Sequence, residues 1–280
     1  MLVAMKSLLL QAQKGHYAVP SPDFWDSVSA RAFVTAAERL GNPVILSYAP
    51  IHREYLSLEE AAELGRFYAN RVQVPVALHL DHGTDLESVK KAIALGFTSV
   101  MIDASAKSFE ENVQITKEVT DYAHPLGIDV EAEIGHVGSE DEAGPHSLSS
   151  TSYTEPDAAR RFVELTEVDA LAVSIGTSHG AYKNGTPHIN FDILQQIRDK
   201  TDVPLVLHGG SGTGENNLRK CAEMGICKIN IYTDYISAAL KKTYDSPQSS
   251  WPAVLKQAEE TIIAAHMRYD GILRGKTPLG

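Results

Sequence analysis

The sequence predicts an α/β fold, a (β/α)8 TIM barrel, on two observations. Eight short runs rich in aliphatic and β-branched residues recur along the chain, and stretches with helical spacing lie between them. The 280 residues also suit a single barrel of this kind, which needs about 250. We therefore expect residues 1–280 to form a single domain. The predicted strands are residues 17–20, 44–49, 76–82, 99–105, 129–135, 170–177, 205–211 and 228–234.

The segments around these strands fit the barrel in order. Residues 1–10 predict a short amphipathic helix, because Lys6 interrupts the apolar run and no small-residue cleavage site of a signal peptide follows. Residues 27–40 and 86–95 have apolar side chains at helical spacing. The runs themselves, bounded by Gly, Pro and Asp, are typical of parallel strands buried on both faces. The connection 135–153 has the length of a mobile functional loop or a disordered segment.

A doubly wound open sheet is the competing α/β fold. It is disfavoured because no G-x-G-x-x-G motif follows the first predicted strand, where residues 20–23 read as a Pro-Ser-Pro-Asp turn. No repeat, low-complexity tract or linker divides the sequence, which agrees with a single barrel.

Charge and hydropathy exclude several kinds of partner. Lys and Arg total 25 against 36 for Asp and Glu, and the net charge of −11 argues against sequence-independent nucleic-acid binding, which requires a basic surface. No apolar run approaches the ~20 residues of a membrane-spanning helix. Two cysteines suit a reducing compartment better than a disulfide scaffold. We expect a cytoplasmic protein that binds neither nucleic acid nor membrane.

Polar residues collect at the carboxyl ends of the predicted strands, where barrel enzymes have their active sites. Three histidines from three different strand ends could meet at one point and leave a fourth position open, which is a catalytic zinc arrangement. A lone histidine in such a place is more often structural, but here three occur beside three carboxylates. The histidines are His82, His179 and His208, and the carboxylates are Asp81, Asp103 and Glu133.

A glycine-rich turn at residues 208–213 follows the seventh strand and predicts a phosphate site. Its main-chain N–H groups and the hydroxyls of Ser211 and Thr233 would be the donors. Such a turn alone is weak evidence, but barrel phosphate sites favour the loops after the seventh and eighth strands. A metal, a phosphate site and carboxylates together suit a reaction that polarises a carbonyl beside a phosphorylated carbon. Aldol cleavage and isomerisation both fit.

These motifs resemble those of the class II, metal-dependent ketose-bisphosphate aldolases, a family that includes fructose and tagatose bisphosphate aldolases and relatives such as class II sulfofructose 1-phosphate aldolase. The resemblance runs from about residue 40 to residue 235, in the right order. The matching segments are LHLDHG at 78–83, GFTSVMID at 96–103, VEAEIG at 130–135, LAVSIGTSHG at 171–180, VLHGGSG at 206–212 and KINI at 228–231.

The resemblance implies roles for the matching residues. The three histidines would bind the catalytic Zn²⁺ or another divalent metal, and a monovalent cation is left open as a second ion. Asp81 would move the proton of the hydroxyl at the carbon where the bond breaks. Asp103 and Glu133 match an alternative buried metal position or its outer shell. Substrate binding, including the phosphate of dihydroxyacetone phosphate, would fall to Gly180, Lys183, Gly209, Gly210, Ser211, Asn230 and Thr233.

Two regions depart from the family pattern. The loop after Glu133 should carry a mobile acid, and Glu140, Asp141 and Glu142 are all candidates. At the far end of the substrate, Asp23 follows the first strand where relatives usually have Asn, and Ala49 stands where a Ser often helps to hold the distal phosphate. A carboxylate facing a phosphate is repulsive unless it is neutralised. The remaining distal candidates are His52 and Arg53, which would either bind an anion or begin a solvated helix.

The leading hypothesis is a lyase that reversibly cleaves a ketose 1-phosphate to dihydroxyacetone phosphate and an aldehyde, in glycolysis, sulfoglycolysis or related carbohydrate metabolism. The candidate substrates are fructose or tagatose 1,6-bisphosphate and 6-deoxy-6-sulfofructose 1-phosphate. One alternative is a metal-dependent sugar-phosphate isomerase or epimerase, and another is a non-catalytic partner subunit of a second aldolase. By resemblance we expect a homodimer or a homotetramer.

Overall fold

The computed structural model describes residues 1–137, 153–180, 182 and 185–275. Its strands, all parallel, are β1 (Val19–Pro22), β2 (Val44–Tyr48), β3 (Val76–Gly83), β4 (Ser99–Ile102), β5 (Asp129–Ile134), β6 (Ala170–Val173), β7 (Leu205–Leu207) and β8 (Ile226–Ile231). They lie in the order β1-β8-β7-β6-β5-β4-β3-β2. A bridge between Asp23 and Ser47 joins β1 to β2. This arrangement confirms the predicted (β/α)8 barrel, while the single domain over residues 1–280 stays a prediction.

Helices alternate with the strands and cover the outside of the barrel. Their first turns follow the expected cap chemistry: Ser57 and Glu60 form a reciprocal capping box at one helix, and Ser108 and Glu111 form another. None of the described helices has both the length and the apolar composition needed to cross a membrane. The helices are α1 (Met5–Gly15), α2 (Ser27–Leu40), α3 (Leu58–Ala69), α4 (Leu86–Ala94), α5 (Phe109–Ala123), α6 (Pro156–Thr166), α7 (Phe191–Lys200), α8 (Glu215–Glu223), α9 (Thr233–Asp245) and α10 (Trp251–Leu273), with short 3-10 turns at Pro50–His52 and His124–Leu126.

Several predicted strand boundaries are wrong. The first strand spans Val19–Pro22 rather than 17–20, so its two prolines lie within a strand instead of opening a turn. The eighth begins at Ile226 and ends at Ile231, and Thr233 opens α9 instead of ending a strand. Strands β4, β5, β6 and β7 end earlier than predicted, because their polar and glycine-rich carboxyl ends leave the sheet to form the loops above the barrel, and β2 ends one residue early, at Tyr48.

Helix α1 lies against the amino end of the barrel, as a short amphipathic helix. Its buried side chains form one apolar cluster with strand residues at the amino end of the barrel, on the inside of the sheet. The barrel interior is therefore apolar at this end, and α1 covers it. The cluster consists of Met5, Leu8, Leu9, Ala12, Val19, Ile45, Ala77, Ala170, Ala172, Val206 and Cys227.

Shortening one of these side chains should destabilise the protein without touching the polar end of the barrel. Leu9 is fully buried in the cluster, and we expect Leu9→Ala to lower the free energy of unfolding by about 2–5 kcal/mol, because it leaves a cavity. Urea unfolding of the two proteins measures the difference. Leu10→Ala is the matched control, since Leu10 is 37% exposed on the same helix and should change stability by less than about 0.5 kcal/mol. Equal losses at the two positions would contradict the position assigned to α1.

Candidate active site

Above the apolar end, the inside of the barrel becomes polar. Successive residues of a strand point to opposite faces of the sheet, so residues two apart share a face. Three strands place two polar side chains each on the inner face, in a layered arrangement with the later residue of each pair nearer the carboxyl end. The pairs are His79 and Asp81 on β3, Glu131 and Glu133 on β5, and Lys228 and Asn230 on β8.

An irregularity in β3 brings two adjacent residues into the same site. The register between β3 and β4 shifts between Leu80 and Gly83, which interrupts the alternation of side chains. Within that bulge His82 has a φ of 47°, in the left-handed region that non-glycine residues rarely occupy. Asp81 and His82 therefore both face the carboxyl end of the barrel, with Asp81 Oδ2 and His82 Nε2 3.8 Å apart.

The three predicted histidines meet at this end of the barrel. One ring nitrogen from each of His82, His179 and His208 lies within 4.8 Å of the other two. His208 Nδ1 and His82 Nε2 are the nearest, at 2.9 Å. Three imidazole nitrogens converging from three strands and loops match the donor set of a catalytic zinc site.

The second nitrogen of each histidine has its own hydrogen-bond partner. This is the arrangement in metal sites, where outer groups fix the tautomer and the orientation of each ligand. The partners are the carboxylate of Asp103 for His82 at 2.8 Å, the carbonyl of Val137 for His179 at 3.2 Å and the carboxylate of Glu131 for His208 at 2.9 Å.

The site has unpaired nitrogen and oxygen atoms that could bind a metal ion, and nearby carboxylates that favour positive charge. The inward nitrogen of His179, Nε2, is buried without a hydrogen-bond partner, and so is Glu133 Oε2, 4.0 Å from His208 Nδ1. Burial opposes a charge on His82, yet Asp81 and the bond to Asp103 raise the pKa of His82 to about 10, so positive charge is favoured here. The residues thus fit a divalent metal. His82, Asp103 and Glu133 form a second group with metal-ligand spacing.

A buried lysine occupies the centre of the polar interior, below the histidines. Lys228 Nζ lies 2.9 Å and 2.8 Å from the two carboxylate oxygens of Glu131, and 3.9 Å from Asp81. Despite burial, which opposes ionisation, Lys228 and the bond from His208 lower the pKa of Glu131 to about 2. His79, Asp81 and Glu131 also have metal-ligand spacing, but in this group the ammonium of Lys228 already provides the positive charge.

Asp81 is held in place by Asn230. The Asn230 amide donates to both carboxylate oxygens of Asp81, at 3.1 Å and 3.0 Å. Burial favours the protonated form of this carboxyl, but His82 and Lys228 outweigh burial and lower its pKa. Asp81 is therefore an oriented carboxylate beside the candidate metal ligands, where it could accept a proton.

The predicted phosphate turn packs against the start of α9. Gly209 has a φ of 67°, and a Cβ there would lie 2.3 Å from the carbonyl oxygen of Ser178, so the turn requires glycine. Ser211 Oγ accepts hydrogen bonds from the N–H groups of Tyr232 and Asp234, both at 3.2 Å, and its own hydrogen stays available for a ligand. The N–H of Gly210 instead donates to the carbonyl of Asn230 at 3.0 Å.

The remaining first-turn and loop candidates are placed as follows. Thr233 is the first residue of α9 and is half-buried, at the positive end of the helix. Gly180 has a φ of 97° in the loop that carries His179. The other loop candidates, Glu140, Asp141, Glu142 and Lys183, lie outside the described residues.

The distal candidates separate into two groups. Asp23 and His52 are buried, whereas Arg53 is exposed. Arg53 lines a groove of about 380 Å³ on the outer side of Tyr48, between the 3-10 turn at Pro50–His52 and the start of α4. The structure therefore brings Asp23 and His52 toward the site, but not Arg53.

Sequence reasoning missed three residues of this site: His79, Glu131 and Lys228. Each lies two residues before a predicted site residue on the same strand, so the period-2 alternation could have found them. Glu131 lies within the matching segment at 130–135, and the structure shows that it binds His208 and Lys228.

Known proteins resemble this chain over nearly its whole length. The uncharacterized protein YdjI of Escherichia coli (strain K12) is 41% identical over 239 residues, which cover 84% of this chain and 85% of that protein. The crystal structure of the YdjI aldolase from Escherichia coli K12 matches with a TM-score of 0.89 and 33% identity, over 98% of this chain and 97% of that chain. A putative fructose-1,6-biphosphate aldolase from Coccidioides immitis matches with a TM-score of 0.87 and 27% identity, over 96% and 95% of the two chains.

A family model agrees with these structures. The model described as fructose-bisphosphate aldolase class II matches residues 3–273, which include every strand and helix of the barrel. The converging histidines and the oriented carboxylate lie within that match, at the carboxyl end of the strands. The chain belongs to the class II fructose-bisphosphate aldolase family.

Proposed function

We propose that this protein catalyses the metal-dependent, reversible aldol cleavage of a ketose 1-phosphate to dihydroxyacetone phosphate and an aldehyde. The observation that carries the proposal is the convergence of His82, His179 and His208 beside Asp81. In each of the three rings, the nitrogen that points away from the centre has a hydrogen-bond partner. The aldolase named in the YdjI crystal structure, at 33% identity, supports the same reaction class.

The three histidines would hold the ion, and Zn²⁺ is the proposed metal because three imidazoles with an open position are a catalytic zinc arrangement. When bound, the ion polarises the substrate carbonyl as a Lewis acid and stabilises negative charge on its oxygen. Glu131 orients His208, and Asp103 orients His82. Both carboxylates therefore act on the ligands rather than on the substrate.

Asp81 is the proposed base for cleavage. The bond that breaks joins carbons 3 and 4 of the ketose, and the Asp81 carboxylate, fixed by Asn230, accepts the proton of the carbon-4 hydroxyl. That hydroxyl becomes the carbonyl of the aldehyde product, and the electron pair of the broken carbon–carbon bond stays with the ketone fragment. The ketone fragment then takes up a proton at carbon 3, the carbon that kept this electron pair, and Glu140, Asp141 and Glu142 are the proposed donors.

The phosphate at carbon 1 is proposed to lie between the 208–213 turn and the start of α9. Ser211 retains a hydroxyl hydrogen, and Thr233 lies in the first turn of the helix, where the helix dipole favours an anion. Gly180, Gly209 and Lys183 complete the proposed set, whereas Gly210 contributes shape, since its N–H is already bonded. We also propose a homodimer or a homotetramer, which size-exclusion chromatography with light scattering measures.

Chelation should abolish cleavage. We expect EDTA to lower the rate of dihydroxyacetone phosphate release at least about 100-fold, because carbonyl polarisation is lost, and Zn²⁺ to restore it. Fructose 1,6-bisphosphate, tagatose 1,6-bisphosphate, 6-deoxy-6-sulfofructose 1-phosphate and fructose 1-phosphate are compared side by side. If the metal-loaded protein releases no three-carbon product from any of them, the aldolase proposal fails. In that case, ketose interconversion would indicate an isomerase or epimerase, and activation by a second chain a partner subunit.

A further inference from the structure

Two buried polar side chains near Asp81 have no role in the proton transfer or the metal site. Asp23, directly after β1, is 9% exposed, and His52, at the end of the 3-10 turn, is 4% exposed. Asp23 Oδ1 and His52 Nε2 are buried and have no hydrogen-bond partner. Buried polar atoms are nearly always paired, so an unpaired oxygen and an unpaired nitrogen here require an explanation.

Both side chains lie on one side of the candidate site. The His52 ring is 5.0 Å from the ring of Tyr232, and Asp23 acts electrostatically on the Tyr232 hydroxyl. The carboxylate of Asp81 acts electrostatically on both Asp23 and His52. Tyr232 also precedes Thr233, so this group lies between the proposed base and the start of α9. We call Asp23, His52 and Tyr232 the distal pocket.

The distal pocket favours uncharged groups. Burial, and then the charge of Asp81, raise the pKa of Asp23 well above its usual value, while burial lowers the pKa of His52. Within the described ranges, no Lys or Arg forms a salt bridge with Asp23. His82 and Lys228 favour the charged form of Asp23, but burial and Asp81 outweigh them. Lys228 is bonded to Glu131, and Arg53 lies in the separate outer groove.

A phosphate or sulfonate placed here would lose its hydration beside a carboxyl and an imidazole that burial keeps uncharged, and neither group offers it a positive charge in return. A hydroxyl group, which both donates and accepts, matches a carboxyl oxygen and an imidazole nitrogen. We propose that Asp23 and His52 bind hydroxyl groups on the distal part of the ketose 1-phosphate, so that the substrate carries hydroxyl, not phosphate or sulfonate, where it contacts them. The choice of substrate rests on the proposed aldol cleavage.

Fructose 1-phosphate and fructose 1,6-bisphosphate test this directly, because they differ only in the distal phosphate. We expect kcat/KM to be at least about tenfold higher for fructose 1-phosphate, with 6-deoxy-6-sulfofructose 1-phosphate also disfavoured. Asp23→Ala removes the atoms that would bind the hydroxyl, so it should lower kcat/KM for fructose 1-phosphate about tenfold and thereby raise the ratio of bisphosphate to monophosphate kcat/KM. His52→Ala should lower kcat/KM for fructose 1-phosphate about tenfold or more, mainly through KM.

Glu54→Ala is the matched control, because it makes the same truncation of a carboxyl side chain at an exposed position two residues from His52. It should leave the substrate ratio unchanged. A higher kcat/KM of the wild-type protein for either distally charged sugar would overturn the proposal, and so would an unchanged ratio in Asp23→Ala.

A binding measurement separates this proposal from the aldolase proposal. Isothermal titration of both fructose phosphates into metal-loaded Asp81→Asn reports on the pocket without turnover. Tighter binding of fructose 1-phosphate supports the distal pocket even if no sugar is cleaved, an outcome that defeats only the proposed reaction. Tighter binding of the bisphosphate overturns the distal pocket even if cleavage is observed.

Discussion

Replacing Asp81 with asparagine is expected to lower kcat for aldol cleavage by about 10²–10⁴-fold, because a positioned general base contributes a factor of this size. The change keeps the shape of the side chain, and one amide atom can still meet the amide of Asn230, which now donates to both oxygens of Asp81. Steady-state release of dihydroxyacetone phosphate measures kcat, and elemental analysis measures the bound metal.

The metal content should not change, since the histidine nitrogens and their partners are untouched by this substitution. Asp192→Asn, an exposed position in the first turn of α7, is the control and should leave kcat unchanged. A kcat for Asp81→Asn within a few-fold of the wild-type value, at full metal content, would contradict the assignment of the base.

Replacing Lys228 with methionine should cause the largest loss of stability. Methionine fills a similar volume but leaves Glu131 as a buried carboxylate without its cation, and breaking a buried ion pair from one side costs about 3–5 kcal/mol. Urea unfolding in the presence of EDTA measures the free energy of unfolding without any contribution from bound metal. A variant that does not fold at all would show the same destabilisation in a larger amount.

A second substitution tests whether the unpaired charge is the cause. Glu131→Gln in the same chain removes the charge and keeps an acceptor for His208, so the two changes should couple favourably by about 0.5–3 kcal/mol. Lys241→Met is the matched control: Lys241 is 74% exposed and pairs with Asp245 one helical turn away, so its loss should cost less than about 1 kcal/mol. Equal effects at the two lysines would contradict the buried pair.

The barrel could be predicted because its strands are buried on both faces and read as continuous apolar runs. The bounds of the first strand could not, since Pro20 and Pro22 favour a turn in isolation. In the structure β1 pairs along its length with β8 and meets β2 through the bridge at Asp23. Prolines fit a strand whose ladder is incomplete on one side. That tertiary context is not encoded in the local sequence.

The site was predictable where residue type and strand position coincide. His82, His179 and His208 follow separate strands, and the barrel brings them together. The bulge that turns His82 to the same side as Asp81 could not be predicted, because its φ of 47° is imposed by the surrounding fold. The different positions of His52 and Arg53 could not be predicted either, since neighbouring residues on a short 3-10 turn point to different sides.

Helix α1 and the apolar cluster beneath it close the amino end of the barrel. A metal ion and a sugar that bind as proposed would then share one entrance, at the carboxyl end. The side chain of His208 lies below that entrance, fully out of contact with solvent. A sugar bound above it would block the way out for the ion. Under the proposed function we therefore expect the ion to bind first and the sugar second, with release in the reverse order.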